Sequence, residues 1–235
     1  MTREISFVEA INETLIQEMA RDENIVLFGE NIRGEGRSEL QGLQDLYGDD
    51  RVIDFPISEA AMTGMATGAA LAGARPVIHY QVSSLIFPAF DQLVDQAAKL
   101  PLMLGGQAHL ATTYLIMGAG ASGGRAGQHS DNPYPYLIHA GIKTVMPSTP
   151  SDAKGLLTSA ICENDPVAFF IPVRLSAMRG PVVEQRCPIP LAQGEVKRKG
   201  RDVTVVAVGH LVGEAVATAE ALIKDNIDVE VWDPR

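Results

Sequence analysis

Asp54-Phe-Pro-Ile-Ser-Glu-Ala-Ala-Met-Thr-Gly-Met-Ala-Thr-Gly-Ala-Ala-Leu-Ala-Gly73 decides how this chain is read. Val52 to Phe55 reads as a short buried strand that Pro56 and Ser58 stop. Ser58 is a good N-cap, and Ala60 to Leu71 then reads as a helix of small residues. A capping box needs Glu or Gln three places after the cap, where Ala61 stands, so that motif does not use Glu59. Glu59 is left as a carboxylate at a strand-to-helix junction, beside a helix that Ala and Gly let pack closely. In parallel α/β sheets ligands bind at such junctions, outside the carboxyl ends of strands. The plainer reading has Glu59 favouring the positive end of the helix dipole, worth roughly 0.3–1 kcal/mol.

Strands and helices alternate outward from this stretch. Ser6 to Ala20 carries Phe7, Ile11, Leu15 and Met19 at helical spacing, and Asn24 to Gly29 is a short apolar run ending in Gly. Glu30 to Arg37 is a Gly- and charge-rich loop, and Ser38 is expected to cap a short helix through Tyr47 that Gly48 ends. Arg75 to Gln81 reads as a strand, Pro88 to Leu104 as a second amphipathic helix, and Ala111 to Met117 as a strand. Gly141 to Met146 is a strand, Pro150 to Glu163 a helix capped by Ser151, and Val167 to Ile171 a strand. This is the rhythm of a parallel α/β sheet with helices on both faces.

Pro172 to Pro190 breaks the rhythm with four prolines and no clear period, so it reads as a crossover or linker. Strand-helix alternation resumes at Asp202 to Val208, Val212 to Lys224 and Asp228 to Trp232. Two strands and one helix cannot close a core alone, so this piece reads as the start of a second α/β domain. Its Val203, Val205, Val206, Val208, Val216, Leu222 and Val231 are expected to form an apolar face with too little to cover it.

A formal net charge of -10 argues against nonspecific nucleic-acid binding and against a basic membrane-surface patch. No apolar run reaches membrane-spanning length, and Met1-Thr-Arg-Glu-Ile-Ser-Phe7 lacks the pattern of a signal peptide. Cys162 and Cys187 form no Cys-x-x-Cys and have no His partner at zinc spacing. They read as reduced thiols of a cytoplasmic protein.

Gly118-Ala-Gly-Ala-Ser-Gly123 satisfies G-x-G-x-x-G after a strand, a weak signal by itself. A dinucleotide site also needs a helix opening at the third Gly. Gly124-Arg-Ala-Gly-Gln-His-Ser-Asp-Asn-Pro133 cannot form one, and no Gly-Lys-Ser/Thr follows for a P-loop. A loop ending in Gln128-His129-Ser130 suits proton transfer instead, because histidine exchanges protons near neutral pH. His79, His109, His139 and His210 read as structural, or at most as lining a site. Ser130 beside His129 lacks a G-x-S-x-G elbow, and adjacent residues do not reach the Ser-His geometry of a hydrolase easily.

These pieces together resemble the beta subunit of the thiamine-diphosphate-dependent decarboxylase component of 2-oxo acid dehydrogenase complexes, within the transketolase-like enzymes. The resemblance runs from Ser6 to Arg235, on Ile25-Val-Leu-Phe-Gly-Glu30, Asp54-Phe-Pro-Ile-Ser-Glu-Ala60, Gly73-Ala-Arg-Pro-Val77, Phe87-Pro-Ala-Phe-Asp-Gln92, Gln128-His-Ser130, Val145 through Leu157, and Glu195 with Asp202-Val-Thr-Val205. The resemblance implies a pyrimidine-binding domain over 1–185, a crossover over 186–200, and over 201–235 the opening of a carboxyl-terminal domain. That domain would continue for roughly another 100 residues, so the chain reads as carboxyl-terminally truncated.

By the same resemblance Glu59 holds the ring nitrogen of the aminopyrimidine, and His129 supports the proton transfers and the substrate carboxylate. Glu30 lines the same pocket. The aromatic that stacks on the pyrimidine in this family has Val82 and Leu85 at the aligned places, leaving Phe87 or Tyr80 to stand in. Leu85 and Phe87 are the residues assigned to that part of the cofactor. The family's Glu-Pro-Lys after the last strand is here Ile171-Pro172-Val173. The Gly-Asp-Gly and later Asn that hold the diphosphate and Mg2+ are not in this chain, and in the family they lie on an alpha subunit. Some members hold potassium on carbonyls near Ala160, Ile161, Glu163 and Asp165.

The implied function is oxidative decarboxylation of a 2-oxo acid with acyl transfer to a lipoyl carrier. The implied partners are an alpha subunit, a second beta subunit in a heterotetramer, and a lipoyl acyltransferase core, with neither nucleic acid nor membrane. Two other readings stand beside it. One is a non-catalytic truncated relative kept for assembly or regulation, which retention of Glu59 and His129 disfavours. The other is the carboxyl half of a single-chain transketolase or deoxyxylulose-phosphate synthase.

Overall fold

The computed structural model describes residues 1–33, 38–119 and 126–235. The chain opens with β1 (Thr2–Ser6), α1 (Phe7–Arg21), β2 (Ile25–Glu30), α2 (Leu43–Tyr47), β3 (Val52–Phe55), α3 (Glu59–Leu71) and β4 (Arg75–Tyr80). It continues with α4 (Leu100–Met103), β5 (Thr113–Ala119), α5 (Tyr134–His139), β6 (Lys143–Val145), α6 (Pro150–Cys162), β7 (Val167–Pro172) and β8 (Arg179–Val183). The last elements are β9 (Glu195–Arg198), β10 (Val203–Val206), α7 (Leu211–Leu222) and β11 (Val229–Asp233).

Six parallel strands form the main sheet in the order β3-β2-β4-β5-β7-β6. Apolar residues fill both of its faces. Val77, Leu115 and Phe169 face α1 and α6, while their neighbours Ile78, Ile116 and Phe170 face α3 and the segment after β4. That period of two, buried on both sides, is what a parallel sheet covered by two helix layers requires. The parallel sheet read from the sequence is therefore the observed fold.

The strand order also fixes the place of a site. From β2 the chain crosses to β3 on one side, and from β3 it returns to β4 on the other. The β2–β3 connection packs Leu40 and Leu43 on one face, and α3 packs Met62, Ala66 and Ala70 on the other. The β2–β3 connection leaves the carboxyl end of β2 toward one face, and the β4–β5 connection, with Ile86 and Leu93, leaves that of β4 toward the other, so a crevice opens at the switch point between them.

Four local expectations are corrected. Ser58 does not cap α3, since its hydroxyl donates to the Pro56 carbonyl (3.2 Å). Thr149, not Ser151, caps α6: its Oγ1 accepts the Asp152 N–H (3.0 Å), and Pro150 takes the first helical position. Ser38 opens only a short 3-10 turn, and α2 starts after Gly42. Pro88 to Leu104 is no single helix. It divides into a π-helical stretch, Gln92–Ala97, and the short α4, because Pro101 brings no N–H and its ring crowds the preceding turn. At the amino terminus, Ser6 and Glu9 form a reciprocal capping box on α1.

The proline-rich stretch also holds a strand. Residues of β8 pair antiparallel with β1, Pro181 lying opposite Glu4. This two-stranded ribbon is nearly all edge, where a proline costs no sheet hydrogen bond. The stretch expected as a crossover, 186–200, contains β9, which joins β11 and β10 in a second sheet. Val231 is fully buried there, against Ala219 and Val229, and Val216 and Leu222 pack on them. Val203, Val205 and Val206 stay exposed, at 47%, 36% and 60%. The expected bare apolar face is thus confined to β10.

A polar cluster joins the second sheet to the start of α6. Lys197 Nζ donates to Asp152 (2.8 Å), Arg235 pairs with Asp152 (2.8 Å), and Ser148 donates to Asp233 (2.6 Å). No helix among the described residues is long and apolar enough to cross a membrane.

Candidate active site at the switch-point crevice

Glu30 is the last residue of β2 and Glu59 the first of α3, so the strand order alone brings them to one crevice. Glu30 is buried, and its Oε1 accepts the Ser58 N–H at 2.9 Å. Its carbonyl accepts the Gln81 side-chain amide from the end of β4. Burial pushes the Glu30 carboxyl above its ordinary value; the Ser58 N–H opposes this, and the Glu59 charge adds to it. Glu59 is 9% exposed, and no described residue donates a hydrogen bond to its carboxylate.

Tyr80 closes the crevice from below. It is 1% exposed, and its hydroxyl lies 2.5 Å from Thr63 Oγ1. Burial raises the phenol's pKa, the Thr63 bond opposes that, and Tyr114, Glu59 and Glu30 push it further up. Tyr80 therefore remains a neutral donor beneath two acids. On the opposite face of β4, buried His79 bonds Glu39 through Nε2 at 3.0 Å, which suits its expected structural part.

The Gln128–His129 turn is tied to the segment after β4. Ser83 Oγ donates to the Asp131 carbonyl at 2.6 Å, and Ser84 Oγ donates to the Gln128 carbonyl. His129 itself is exposed, and no hydrogen bond among the described residues links it to Glu30 or Glu59. The rest of the Gly-rich loop, 120–125, and the part of the loop after Glu30 at 34–37 lie outside the described residues. Leu85 packs against the core cluster on the α3 face. Phe87 is 40% exposed and makes its ring contacts with Phe90 (6.4 Å) and Tyr136 (5.7 Å).

The residues expected around potassium are engaged by the chain's own cations. Arg75 donates to the carbonyls of Ile161 (2.8 Å) and Glu163 (2.7 Å), and Thr113 donates to that of Ala160 (3.2 Å). Lys143 bridges the carboxylates of Glu163 and Asp165. Arg75 thus takes up the Ile161 and Glu163 carbonyls and Thr113 that of Ala160, while Lys143 meets carboxylates and not the carbonyls on which the potassium expectation rests.

Sequence reading missed Thr63, Ser83 and Ser84 as parts of this region, and named Tyr80 only as a stand-in for the stacking aromatic, whereas it is buried with its hydroxyl on Thr63. One signal was available: Glu59, Thr63 and Thr67 fall four apart, a polar stripe along a helix otherwise built of small and apolar residues.

The fold and this crevice define the class. Residues 3–178 match the family described as transketolase, pyrimidine binding domain, and residues 192–235 match transketolase, C-terminal domain. The chain belongs to the transketolase pyrimidine-binding family. Within it, the chain is 40% identical over 254 residues to the acetoin:2,6-dichlorophenolindophenol oxidoreductase subunit beta of Bacillus subtilis, covering all of this chain and 73% of that protein. It is 40% identical to the 3-methyl-2-oxobutanoate dehydrogenase subunit beta of Mycobacterium tuberculosis, across 100% of this chain and 68% of that one. It is 36% identical to the pyruvate dehydrogenase E1 component subunit beta of Staphylococcus epidermidis, across 99% and 72%.

Solved structures agree on the fold. An inactive beta4 tetramer of a split-gene transketolase superposes with a TM-score of 0.78 at 18% identity, over 97% of this chain and 71% of that one. A Pichia stipitis transketolase variant superposes at 0.71 and 16% identity, over 98% and 34%.

Proposed function

We propose that this chain supplies the pyrimidine half of a thiamine-diphosphate site and acts as the beta subunit of a 2-oxo acid dehydrogenase. The observation that carries the reading is the Glu59 carboxylate. It is nearly buried at the switch point, beside a second acid, with no donor from the described residues. Such a carboxylate calls for a donor from a ligand, and a protonated ring nitrogen of an aminopyrimidine fits it.

Thiamine diphosphate held here would supply a thiazolium ring with an acidic carbon, a nucleophile and an electron sink for 2-oxo acid chemistry. The chain's own residues prepare that chemistry. Glu59 accepts the ring N–H and holds the aminopyrimidine in the tautomer that can take a proton. Glu30 holds Ser58 and so fixes the turn from which Glu59 projects. Phe28, Phe55 and Tyr80 make the crevice floor apolar, which strengthens the Glu59 bond. His129, carried by a turn that Ser83 and Ser84 tether, stands over the strand ends as the group that exchanges protons with substrate. Leu85 and Phe87 are assigned to the wall beside the pyrimidine.

The chain lacks a diphosphate motif, so an alpha subunit is assigned the diphosphate and Mg2+. The same reading adds a second beta subunit, a lipoyl acyltransferase core that takes the acyl group, and a reducing, cytoplasmic setting suited to Cys162 and Cys187, which form no disulfide. One relative that shares its sequence is named for acetoin, a hydroxyketone, and two for the 2-oxo acids pyruvate and 3-methyl-2-oxobutanoate, which supports a short 2-oxo acid as the substrate. The test is turnover with each of these 2-oxo acids, with and without an alpha subunit of the class. Decarboxylation only when both chains are present is the expected result; turnover by this chain alone overturns the division of the site.

A further inference from the structure

The helix that carries Glu59 has an unusual beginning. Ser58 leaves its first turn without a side-chain cap, because the Ser58 hydroxyl is turned back to Pro56. An uncapped first turn has N–H groups without partners and frays readily. The helix body offers little to hold it, being mostly Ala and Gly with Met62 as its one large buried side chain. Yet Glu59 sits at the first position of that turn.

Thr63 lies one turn on and makes two hydrogen bonds that meet this need. Its Oγ1 donates to the Glu59 carbonyl at 2.6 Å. Having given its proton there, it accepts from the Tyr80 hydroxyl at 2.5 Å. A threonine that bonds back to the carbonyl four residues earlier tends to bend a helix, so its presence without the phenol would weaken α3. One turn further, Thr67 donates to the Thr63 carbonyl at 3.0 Å, but the buried Tyr114 hydroxyl beside it makes no hydrogen bond among the described residues. Tyr80 and Tyr114 are both fully buried and stand on neighbouring strands, so the anchor points are rigid.

We propose that Tyr80 is a positioning residue, holding the first turn of α3 through Thr63 so that the Glu59 carboxylate is fixed in the crevice. This rests on the assignment of Glu59 to the pyrimidine. The path is phenol to Thr63 hydroxyl to Glu59 carbonyl, and each link is a bond between buried groups, where loss of one partner leaves the other unsatisfied. Tyr80→Phe keeps the ring packing and removes only the hydroxyl.

Amide hydrogen exchange on the whole chain reads the hold directly, without cofactor or substrate. Tyr80→Phe and Thr63→Val are each expected to speed exchange at the amides of 62–63, the first that α3 pairs, about five- to tenfold, the size of one buried hydrogen bond, with α6 unchanged. Thr63→Ser keeps the hydroxyl and is expected to exchange like the parent. Unchanged exchange at 62–63, or an equal rise throughout the chain, overturns the proposal. In the assembled enzyme, Tyr80→Phe is expected to slow deuterium exchange at the thiazolium carbon about five- to tenfold. Parent-like carbon exchange in Tyr80→Phe, with Glu59→Gln abolishing it, means Glu59 needs no such support. Carbon exchange that survives Glu59→Gln instead refutes the pyrimidine assignment, and the amide data still decide whether Tyr80 holds the turn.

Discussion

Glu30 and Ser58 are joined by a 2.9 Å hydrogen bond from the Ser58 N–H to the Glu30 carboxylate. The bond crosses from the end of β2 to the start of α3 and sets one acid of the crevice against the other. A carboxylate used this way is a structural hinge as well as a charge, and its protonation bears on the fold.

Burial, with the neighbouring Glu59 charge, raises the Glu30 carboxyl above its unfolded value, so the folded chain binds this proton more tightly than the unfolded one. Stability from that proton is present in full below the ordinary glutamate value and is lost as pH rises through the folded value. Glu30→Gln keeps an acceptor for Ser58 and cannot ionise. It is expected to raise the melting temperature at pH 7–8 by a few degrees and to lose that advantage in acid. A difference between parent and variant that stays constant with pH would show that Glu30 does not carry this linkage.

Glu59→Gln preserves size and removes the charge-bearing acceptor. Assembly with an alpha subunit and the fold are expected to be unaffected, while proton exchange at the thiazolium carbon falls by at least 100-fold, about the size of a lost general-acid–base partner. Exchange by NMR in deuterated buffer measures it. An unchanged rate would reduce Glu59 to a helix-end charge.

The α6 start offers a test of the polar cluster. Burial alone would raise the Asp152 carboxyl, but Lys197, Thr149 and Arg235 outweigh it and hold it below its ordinary value. Its contribution is therefore present above the unfolded carboxylate value and is lost as pH falls through the folded one. Asp152→Asn leaves Lys197 and Arg235 with Glu195 as their remaining hydrogen-bonded carboxylate and is expected to cost about 2 kcal/mol at pH 7 by urea unfolding. Thr149→Ala, which removes only the cap, is expected to cost about 1 kcal/mol. Equal losses from the two variants would mean that the charges add nothing to the cap.

The sheet was legible because its strands are apolar on both faces and lie between turn residues, and Glu59 because it follows such a strand. The fate of Ser58 was not legible, since the partner of its N–H comes from Glu30, 28 residues away. The break in Pro88 to Leu104 was available from Pro101, but apolar spacing spoke louder. Potassium was read onto Ala160, Ile161, Glu163 and Asp165 by position. Backbone acceptors carry no signature in side chains, and only the structure shows Arg75 reaching across 86 residues to Ile161. The link between Tyr80 and Thr63 was hidden for a similar reason: Tyr80 stood out only as an aromatic near the pyrimidine, and its bond joins a helix to a strand.

The last prediction concerns β10. It pairs with β11 on one side only, so among the described residues its other edge is open. Val203, Val205 and Val206 are exposed along it. An exposed valine forgoes roughly 1.5 kcal/mol or more of burial, and an open apolar edge also offers unpaired N–H and C=O groups to another strand. The chain is therefore expected to self-associate through β10, as a dimer or as larger aggregates. Val206→Lys places a charge on the most exposed of the three and is expected to shift sedimentation toward monomer without lowering the melting temperature of the six-stranded sheet. A version ending near residue 190 removes the edge altogether and is expected to be more soluble. Sedimentation over a range of concentrations separates the outcomes. A parent chain that stays monomeric at high concentration, with 191–235 protected from proteolysis, would show that the edge is harmless and the second sheet is held well enough by Asp152, Lys197 and Arg235.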